Sequence, residues 1–513
     1  MTETRSYYGD NLTKEQRSRT MRAVKSRDTA PERALRKALR QIGLTGYRID
    51  VGEVPGRPDV TFGRRQLAVF VDGGYWHGRP DRVRPGRSEY WDTKIQRTIE
   101  RDRRTDRALK ERGWKVLRLW DDEVLRDPNA AARRVARRLL ARPTAEFFAG
   151  IGLVGKGLAE AGFEVVFAND IDGVKRSLFA ANGDVTKFVW GDIRLIHGAD
   201  VPHVELATAS FPCTDLSLAG NRNGLNGQYS STFWEFVRIL REMEGRRPKA
   251  LLIENVSGFV SSAQGQDLAL ALAALNDLGY YCDLLQLDAR NWVPQSRTRM
   301  FIIASDSPLS NPQPWIPRDL RPAPICEFAL QHSSLQLQAA QLPELPHFAA
   351  HLSDAVERIH PSDQRWWSAS RVRLFVSSLS EIQRTRLKML KKAPDVNWRT
   401  AYRRTRRGSA VWEIRADEIA GCLRTSKGGS SKQALVEAGL GKLKVRWMTP
   451  REYANLMGVP HFDLSTVTEN QALYGLGDAV CVPAVEWLAH NYLGPLLDGE
   501  LTSQGNRNGA SSH

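Results

Sequence analysis

A cysteine stands directly behind a proline in Ser210-Phe211-Pro212-Cys213, where the apolar run "VELATA" ends. A thiolate is a strong nucleophile and a reversible leaving group, so such a cysteine suits covalent chemistry when acid–base partners converge on it. Glu254, in "ALLIENV", ends another apolar run; protonated, it can hydrogen-bond a ring nitrogen and make a heterocycle electrophilic. Arg297 and Arg299, in "QSRTRMFIIA", alternate and are expected on one face of a strand. These four side chains could surround one planar heterocycle. Upstream, the glycines of "FFAGIG" (147–152) permit a tight turn and close backbone approach to a ligand at a helix N-terminus. Asp170 ends the next run, about 20 residues on, where a carboxylate can accept hydrogen bonds from ribose hydroxyls. Asp192, in "GDI", ends the third, where it can meet the exocyclic amine of adenine. Without a basic phosphate motif, this nucleoside pocket favours S-adenosylmethionine over a dinucleotide.

A second constellation lies in "VPGRPDVTFGRRQLAVFVDGGYWHG" (54–78). "PDVTFG" and "QLAVFVDG" read as paired strands across a Gly-Arg-Arg turn. Asp59 starts one strand while Val71 and Asp72 end the other, an oxygen-rich arrangement suited to magnesium. His77 follows as a candidate general base for activating water. Upstream, Asp28 to Pro31 carry helix-start signals, with Glu32 in the first turn.

The elements that must position these residues fall into two regimes. The chain has 513 residues and a net charge of +16, with 35 Lys and Arg against 20 Asp and Glu in residues 1–142. The remainder is nearly balanced, so the N-terminal part is expected to meet a polyanion. "NAAARRVARRLLARP" reads as a basic helix ended at Pro143 and marks the boundary. From 144 to about 306, short apolar runs alternate with helical stretches, which argues a parallel α/β sheet. Residues 307–415 lose that rhythm and read as a separate small domain; 416–498 resume it, and 499–513 read as a disordered tail. Within 307–415, Trp366, Trp367, Arg371, Arg373, Trp398, Arg399, Tyr402, Arg403, Arg404, Arg406 and Arg407 interleave basic and aromatic groups suited to DNA. Five widely spaced cysteines without a CxxC pair argue against a disulfide framework and a cysteine-rich zinc finger. No apolar stretch of about 18 residues and no apolar N-terminal signal core is seen, which predicts an intracellular chain without a membrane partner.

With its motifs in order over roughly 144–495, the chain resembles the cytosine-5 DNA methyltransferases. The resemblance implies a Rossmann-like S-adenosylmethionine-dependent fold with a target-recognition domain at 307–415. It makes Cys213 the nucleophile that attacks carbon 6 of a flipped-out cytosine, Glu254 the ring activator, and Arg299 a supporting contact with Arg297 nearby. Phe148, Gly150, Gly152, Asp170, Asp192, Ile193, Pro212 and Asp478 would line the cofactor pocket. Ser210 stands where that family usually has glycine, and Asp478 where it has asparagine.

Over about 13–140, "TMRAVKSRDTAPE", "PGRPDV", "VFVDGGYWHG", "IERDRR" and "GWKVLRLW" resemble the very short patch repair endonucleases. That resemblance implies a restriction-endonuclease-like fold of the PD-(D/E)xK type, nicking DNA beside thymine–guanine mismatches. Asp59 becomes the principal magnesium ligand and Val71 a ligand through its carbonyl. His77 becomes the base, with Glu32 and Asp102 supporting, and Met21, Tyr75 and Trp76 the wedge that enters the base stack. Arg79, Pro80 and "LWDDEV" stand where that family commonly carries zinc-binding cysteines, so no structural zinc is expected. Double-stranded DNA is the expected partner of both halves. A single-chain restriction–modification enzyme, or a methyltransferase with a catalytically dead DNA-binding N-terminal half, are the alternatives.

Overall fold

The computed structural model describes residues 28–74, 77, 79, 89–212, 232–347, 351–406, 409–424 and 432–502. Contacts divide the chain into two units between Ala141 and Arg142.

The N-terminal unit runs α1 (Ala30–Gln41), β1 (Val60–Phe62), β2 (Leu67–Asp72), α2 (Glu89–Glu111), β3 (Lys115–Trp120), α3 (Asp121–Arg126) and α4 (Pro128–Leu139). The sheet order is β1-β2-β3, with β1 antiparallel and β3 parallel to β2. The Gly-Arg-Arg turn forms as a short 3-10 segment, closed by Gln66 in the left-handed region. Apolar residues at helical spacing bury one face of α1 (Leu35, Ala38, Leu39) and of α4 (Ala131, Val135, Leu139) against β1 and β2. Pro128 sits in the first turn of α4, and the Asp127 side chain caps it by accepting from the Ala130 N–H. That helix ends at Leu139, so Pro143 does not stop it but lies in the next strand.

The second unit is built on β4 (Arg142–Phe147), α5 (Leu153–Ala159), β5 (Phe163–Asp170), α6 (Gly173–Asn182), β6 (Phe188–Trp190), β7 (Leu206–Ala209), α7 (Thr232–Glu242), β8 (Ala250–Val256), α8 (Gln266–Asp277), β9 (Tyr281–Asp288) and β10 (Thr298–Ser305). The seven strands lie in the order β6-β5-β4-β7-β8-β10-β9. The sheet is mixed rather than parallel, because β10 runs antiparallel to both β8 and β9. Only residues 289–297 link β9 to β10, too few for a parallel crossover.

The small lobe holds α9 (Ala369–Ser377), α10 (Glu381–Lys392) and a four-stranded antiparallel sheet. Its strands are β11 (Asn397–Arg406), β12 (Ser409–Ile414), β13 (Ala434–Gly439) and β14 (Lys442–Trp447), in the order β12-β11-β13-β14. It therefore reaches past residue 415, whereas Leu320, Ala340 and Leu345 belong to the core of the large sheet. Helices α11 (Pro450–Leu456), α12 (Glu469–Asp478) and α13 (Val482–Leu488) then return to the large lobe. Gly157 of α5 meets α13 so closely that an added Cβ would fall 2.7 Å from that of Val485. The run Glu469–Leu497 is long and apolar enough by composition to span a membrane. Its Leu473, Leu476, Val485, Leu488 and Leu493 are instead core residues of the large lobe.

Candidate functional site

The glycine turn between β4 and α5 bends through three left-handed residues, Phe148, Gly150 and Gly152. At Gly152 the need for glycine is also steric, since a Cβ would lie 2.8 Å from the Phe179 ring. At Gly150 a Cβ would meet nothing closer than 3.9 Å, so the backbone there borders open space. Asp170 fixes this turn: one oxygen accepts the Gly150 N–H at 2.8 Å and the other the Asp172 N–H at 2.9 Å. Each oxygen keeps a lone pair for a further donor. Asn169 donates to the Val189 and Gly191 carbonyls, which ties the end of β6 beside Asp170. Asp192 follows, capping a 3-10 turn, while Ile193 is buried in the core beneath it. Ile171 and Trp190 are large apolar side chains that stay exposed at this edge, and sequence reasoning missed both. An open cradle, an acceptor pair and exposed apolar surface fit the nucleoside end of S-adenosylmethionine.

Along the same edge, β7 and β8 are parallel neighbours. Cys213 lies outside the described residues, but the chain is followed through Pro212. Phe211 is buried against Phe233 and Phe259, and Asn255 donates to its carbonyl at 3.2 Å. The residue after Glu254 thus anchors the segment that leads into the cysteine. Glu254 itself pairs with Arg299, whose Nε lies 2.9 Å from a carboxylate oxygen.

Arg297 departs from the expected shared face. It precedes β10, is 2 % exposed, and donates to the carbonyls of Leu423 (2.8 Å), Gly477 (3.3 Å) and Ala479 (2.5 Å). It clamps chain segments together, and only Arg299 of the two is ion-paired to Glu254. The two arginines do converge on Cys422, whose sulfur lies 3.5 Å from Arg297 and 3.9 Å from Arg299. Burial raises the Cys422 pKa, but these guanidinium groups outweigh it and bring the thiol below its ordinary range.

Beneath the glycine turn, Glu146 is fully buried and pushed up to about 8 by loss of solvent, so it is neutral at pH 7. Asp478 ends α12 and pairs with Lys175 of α6.

In the small lobe, Trp367 is partly buried against the core, packed with Phe375, Trp412 and Trp447 under Arg371. Arg399 is buried against Glu418, and Arg404 pairs with Glu413. Arg373 and Arg403 are exposed, and Arg407 lies outside the described residues.

In the N-terminal unit, Asp59 accepts the Val71 N–H at 2.7 Å, which brings the two expected magnesium-binding residues together. Burial first, then the charges of Glu32 and Asp72, push Asp59 up to about 6 despite that hydrogen bond. Glu32 is buried in the first turn of α1 and accepts from the Thr29 hydroxyl. His77 Nδ1 lies 2.6 Å from Asp102 and 3.4 Å from Asp72. Asp102 is held below the usual carboxylate range: burial opposes this, but His77 and Arg118 prevail. An ionised Asp102 can only accept, so Nδ1 donates to it and Nε2 is the ring nitrogen left over. Arg118, missed by sequence reasoning, links Asp72 at 2.8 Å to Asp106 at 2.9 Å.

Among the described residues no group of three or more His, Cys, Asp or Glu is disposed to hold a metal. Magnesium commonly takes only one or two carboxylates with several waters, and the oxygen-only donors around Asp59 fit that habit. Arg79 pairs with Asp122 at 2.6 Å and lies near Glu123 and Trp120. Met21, Tyr75 and Trp76 lie outside the described residues.

Residues 143–493 match the family described as C-5 cytosine-specific DNA methylase, and residues 9–81 match DNA mismatch endonuclease Vsr. The Type II nicking enzyme V.NmeDIP of Neisseria meningitidis serogroup C is 42% identical over 130 residues, 25% of this chain and 87% of that protein. The Type II nicking enzyme V.NaeI of Lentzea aerocolonigenes is 45% identical over 122 residues, 22% of this chain and 73% of that protein. The Type II methyltransferase M.Bsp6I of a Bacillus strain is 25% identical over 357 residues, 69% of this chain and 99% of that protein. The two units thus have separate relatives. The chain belongs to the C-5 cytosine-specific DNA methylases and carries a Vsr-type mismatch endonuclease unit ahead of the methylase.

Proposed function

We propose that both units serve one DNA sequence: the second methylates a cytosine in it, and the first nicks the thymine–guanine mismatch left when that 5-methylcytosine deaminates. The observation that carries the methylation half is the order of groups along one sheet edge. Asp192, Asp170, the glycine turn, the Phe211–Pro212 segment and Glu254 with Arg299 follow the strand sequence β6-β5-β4-β7-β8-β10.

In this reading Asp170 and Asp192 would hold the ribose and adenine of S-adenosylmethionine, and Ile171 and Trp190 would offer apolar surface to it. Bound there, the cofactor supplies an electrophilic methyl group. Cys213 attacks carbon 6 of an extruded cytosine while Glu254, held by Arg299, hydrogen-bonds the ring edge. Carbon 5 would then receive the methyl group as its bond to the sulfonium sulfur breaks and S-adenosylhomocysteine leaves; loss of the carbon 5 proton to water would expel the thiolate and restore the ring. In the N-terminal unit Asp59, with Val71, would hold magnesium, which polarises the phosphate when bound. His77 takes the proton of the attacking water through Nε2, oriented by Asp102. Covalent fusion gives equal dosage and a high local concentration. The bacterial origin of the relatives supports a reading in which the chain works in a cytoplasmic, nucleoid-associated setting.

The test is bisulfite sequencing of host DNA with nicking of mismatched and homoduplex oligonucleotides built on the methylated site. Cys213→Ala should abolish methylation alone and Asp59→Ala nicking alone. Cleavage of unmethylated homoduplex would instead mark a restriction enzyme, and no cleavage of either duplex a DNA-binding unit.

A further inference from the structure

His77 Nδ1 has two carboxylates near it, Asp102 Oδ2 at 2.6 Å and Asp72 Oδ1 at 3.4 Å. Nδ1 carries at most one proton and can aim it well at only one of them. That choice sets the plane of the imidazole, and with it the direction in which Nε2 faces. Arg118 separates the two acceptors. It stands on β3 opposite Phe70 of β2, two residues before Asp72, so arginine and aspartate share a face of the sheet. The guanidinium lies over the Phe70 ring, 4.5 Å from its centroid, and Nη1 donates to the two Asp72 oxygens at 3.0 and 2.8 Å.

The other side of the fork reaches α2, where Nε and Nη2 donate to Asp106 at 3.1 and 2.9 Å. Asp102 and Asp106 are four residues apart on that helix and so lie on one face of it. A planar guanidinium thus occupies Asp72 and ties the Asp102 face of α2 to the sheet at the same time. Asp102 is shared out atom by atom: Oδ1 lies 3.9 Å from Arg118, and Oδ2 is left for His77.

We infer that Arg118 is a positioning residue for nicking: by holding Asp72 it leaves Nδ1 to Asp102, and by holding Asp106 it keeps Asp102 in reach. It acts on the attacking water only through the ring of His77. This rests on His77 as the base, as read above. It gives Arg118, which no motif singled out, a part in the reaction, and makes Asp72 a competing acceptor that the fold keeps occupied.

The test is single-turnover nicking of a thymine–guanine duplex by the full chain with magnesium, read as a rate constant and a half-saturating concentration. Melting temperatures taken alongside separate a slowed site from an unfolded one. Arg118→Met frees Asp72 to draw Nδ1 away; it should lower the rate about 10²-fold, the weight of a 1 Å misplacement, at unchanged half-saturation. Arg118→Lys keeps a cation for Asp72 and should recover most of the rate. Arg118→Met/Asp72→Asn removes both charges of the pair, so no competitor and no stranded buried charge remain. It should nick within about tenfold of wild type, which a merely structural tie would not allow. A wild-type rate in Arg118→Met, a loss seen only in half-saturation, or a double variant slower than that tenfold bound would overturn the inference. Wild-type nicking by His77→Gln, or none by the wild type, would instead overturn the reading of His77 on which it rests.

Discussion

Arg446 and Glu452 face each other with no exposed surface on either side chain and share two hydrogen bonds, Nη1 to Oε2 at 2.8 Å and Nη2 to Oε1. Arg446 belongs to β14 of the small lobe, Glu452 to α11 of the large one, so this pair fixes how the lobes join. Breaking a buried pair strands the remaining charge. Glu452→Ala should cost about 3–5 kcal/mol, read as a lowered denaturant midpoint. Arg446→Met/Glu452→Leu should recover most of that loss. Comparable midpoints for both variants would mean the pair carries no such cost.

Cys422 is half-buried and lowered in pKa by Arg297 and Arg299, whereas Cys282, Cys326 and Cys481 are buried and raised. In a Cys213→Ala chain, one further cysteine should react quickly with iodoacetamide at pH 7, and peptide mapping should find it at 422. Arg299→Ala should slow that alkylation and also lower the methylation kcat by about 10²–10³-fold, since Glu254 loses its partner.

Asp59 titrates near 6 in the fold against an ordinary value of 3.8. Its protonated form is favoured by folding, so its stabilising contribution is complete below pH 4 and is lost as pH rises through 6. Asp59→Asn should therefore stabilise the N-terminal unit at pH 8 by about 1–2 kcal/mol, the shift being discounted for partial exposure. The gain should vanish at pH 4, and thermal melts at the two pH values measure it. Nicking should fall in the same variant if Asp59 has the proposed metal-binding role.

Arg79 and Asp122 tie the loop that carries His77 to α3. Reversing one charge alone should destabilise the N-terminal unit by about 1 kcal/mol, and Arg79→Asp/Asp122→Arg should restore most of it. A double variant as unstable as the sum of the singles would deny the pairing.

The strand-end residues were legible because each is announced locally: Asp170 and Glu254 close apolar runs, and Asp59 and Val71 flank a turn of recognisable composition. What stayed hidden depends on contacts distant in sequence. The strand before Arg297 was missed, and with it the short link that dictates antiparallel pairing. The small sheet joins β11 to β13 across a connection no periodicity predicts. Arg297 reads as a strand residue beside Arg299, and only the carbonyls of residues 423, 477 and 479 reveal it as a clamp.

The close approach of Gly157 to Val485 also bears on synthesis. A ribosome that has completed β10 has delivered the glycine turn and the catalytic strands, yet the helices that close over them are still untranslated. By then the mismatch-nicking unit, drawn wholly from the first 141 residues, has already emerged. Termination after residue 141 and before these helices should thus yield fragments able to complete only the N-terminal fold, and C-terminal truncation cannot produce a methylating fragment that lacks it.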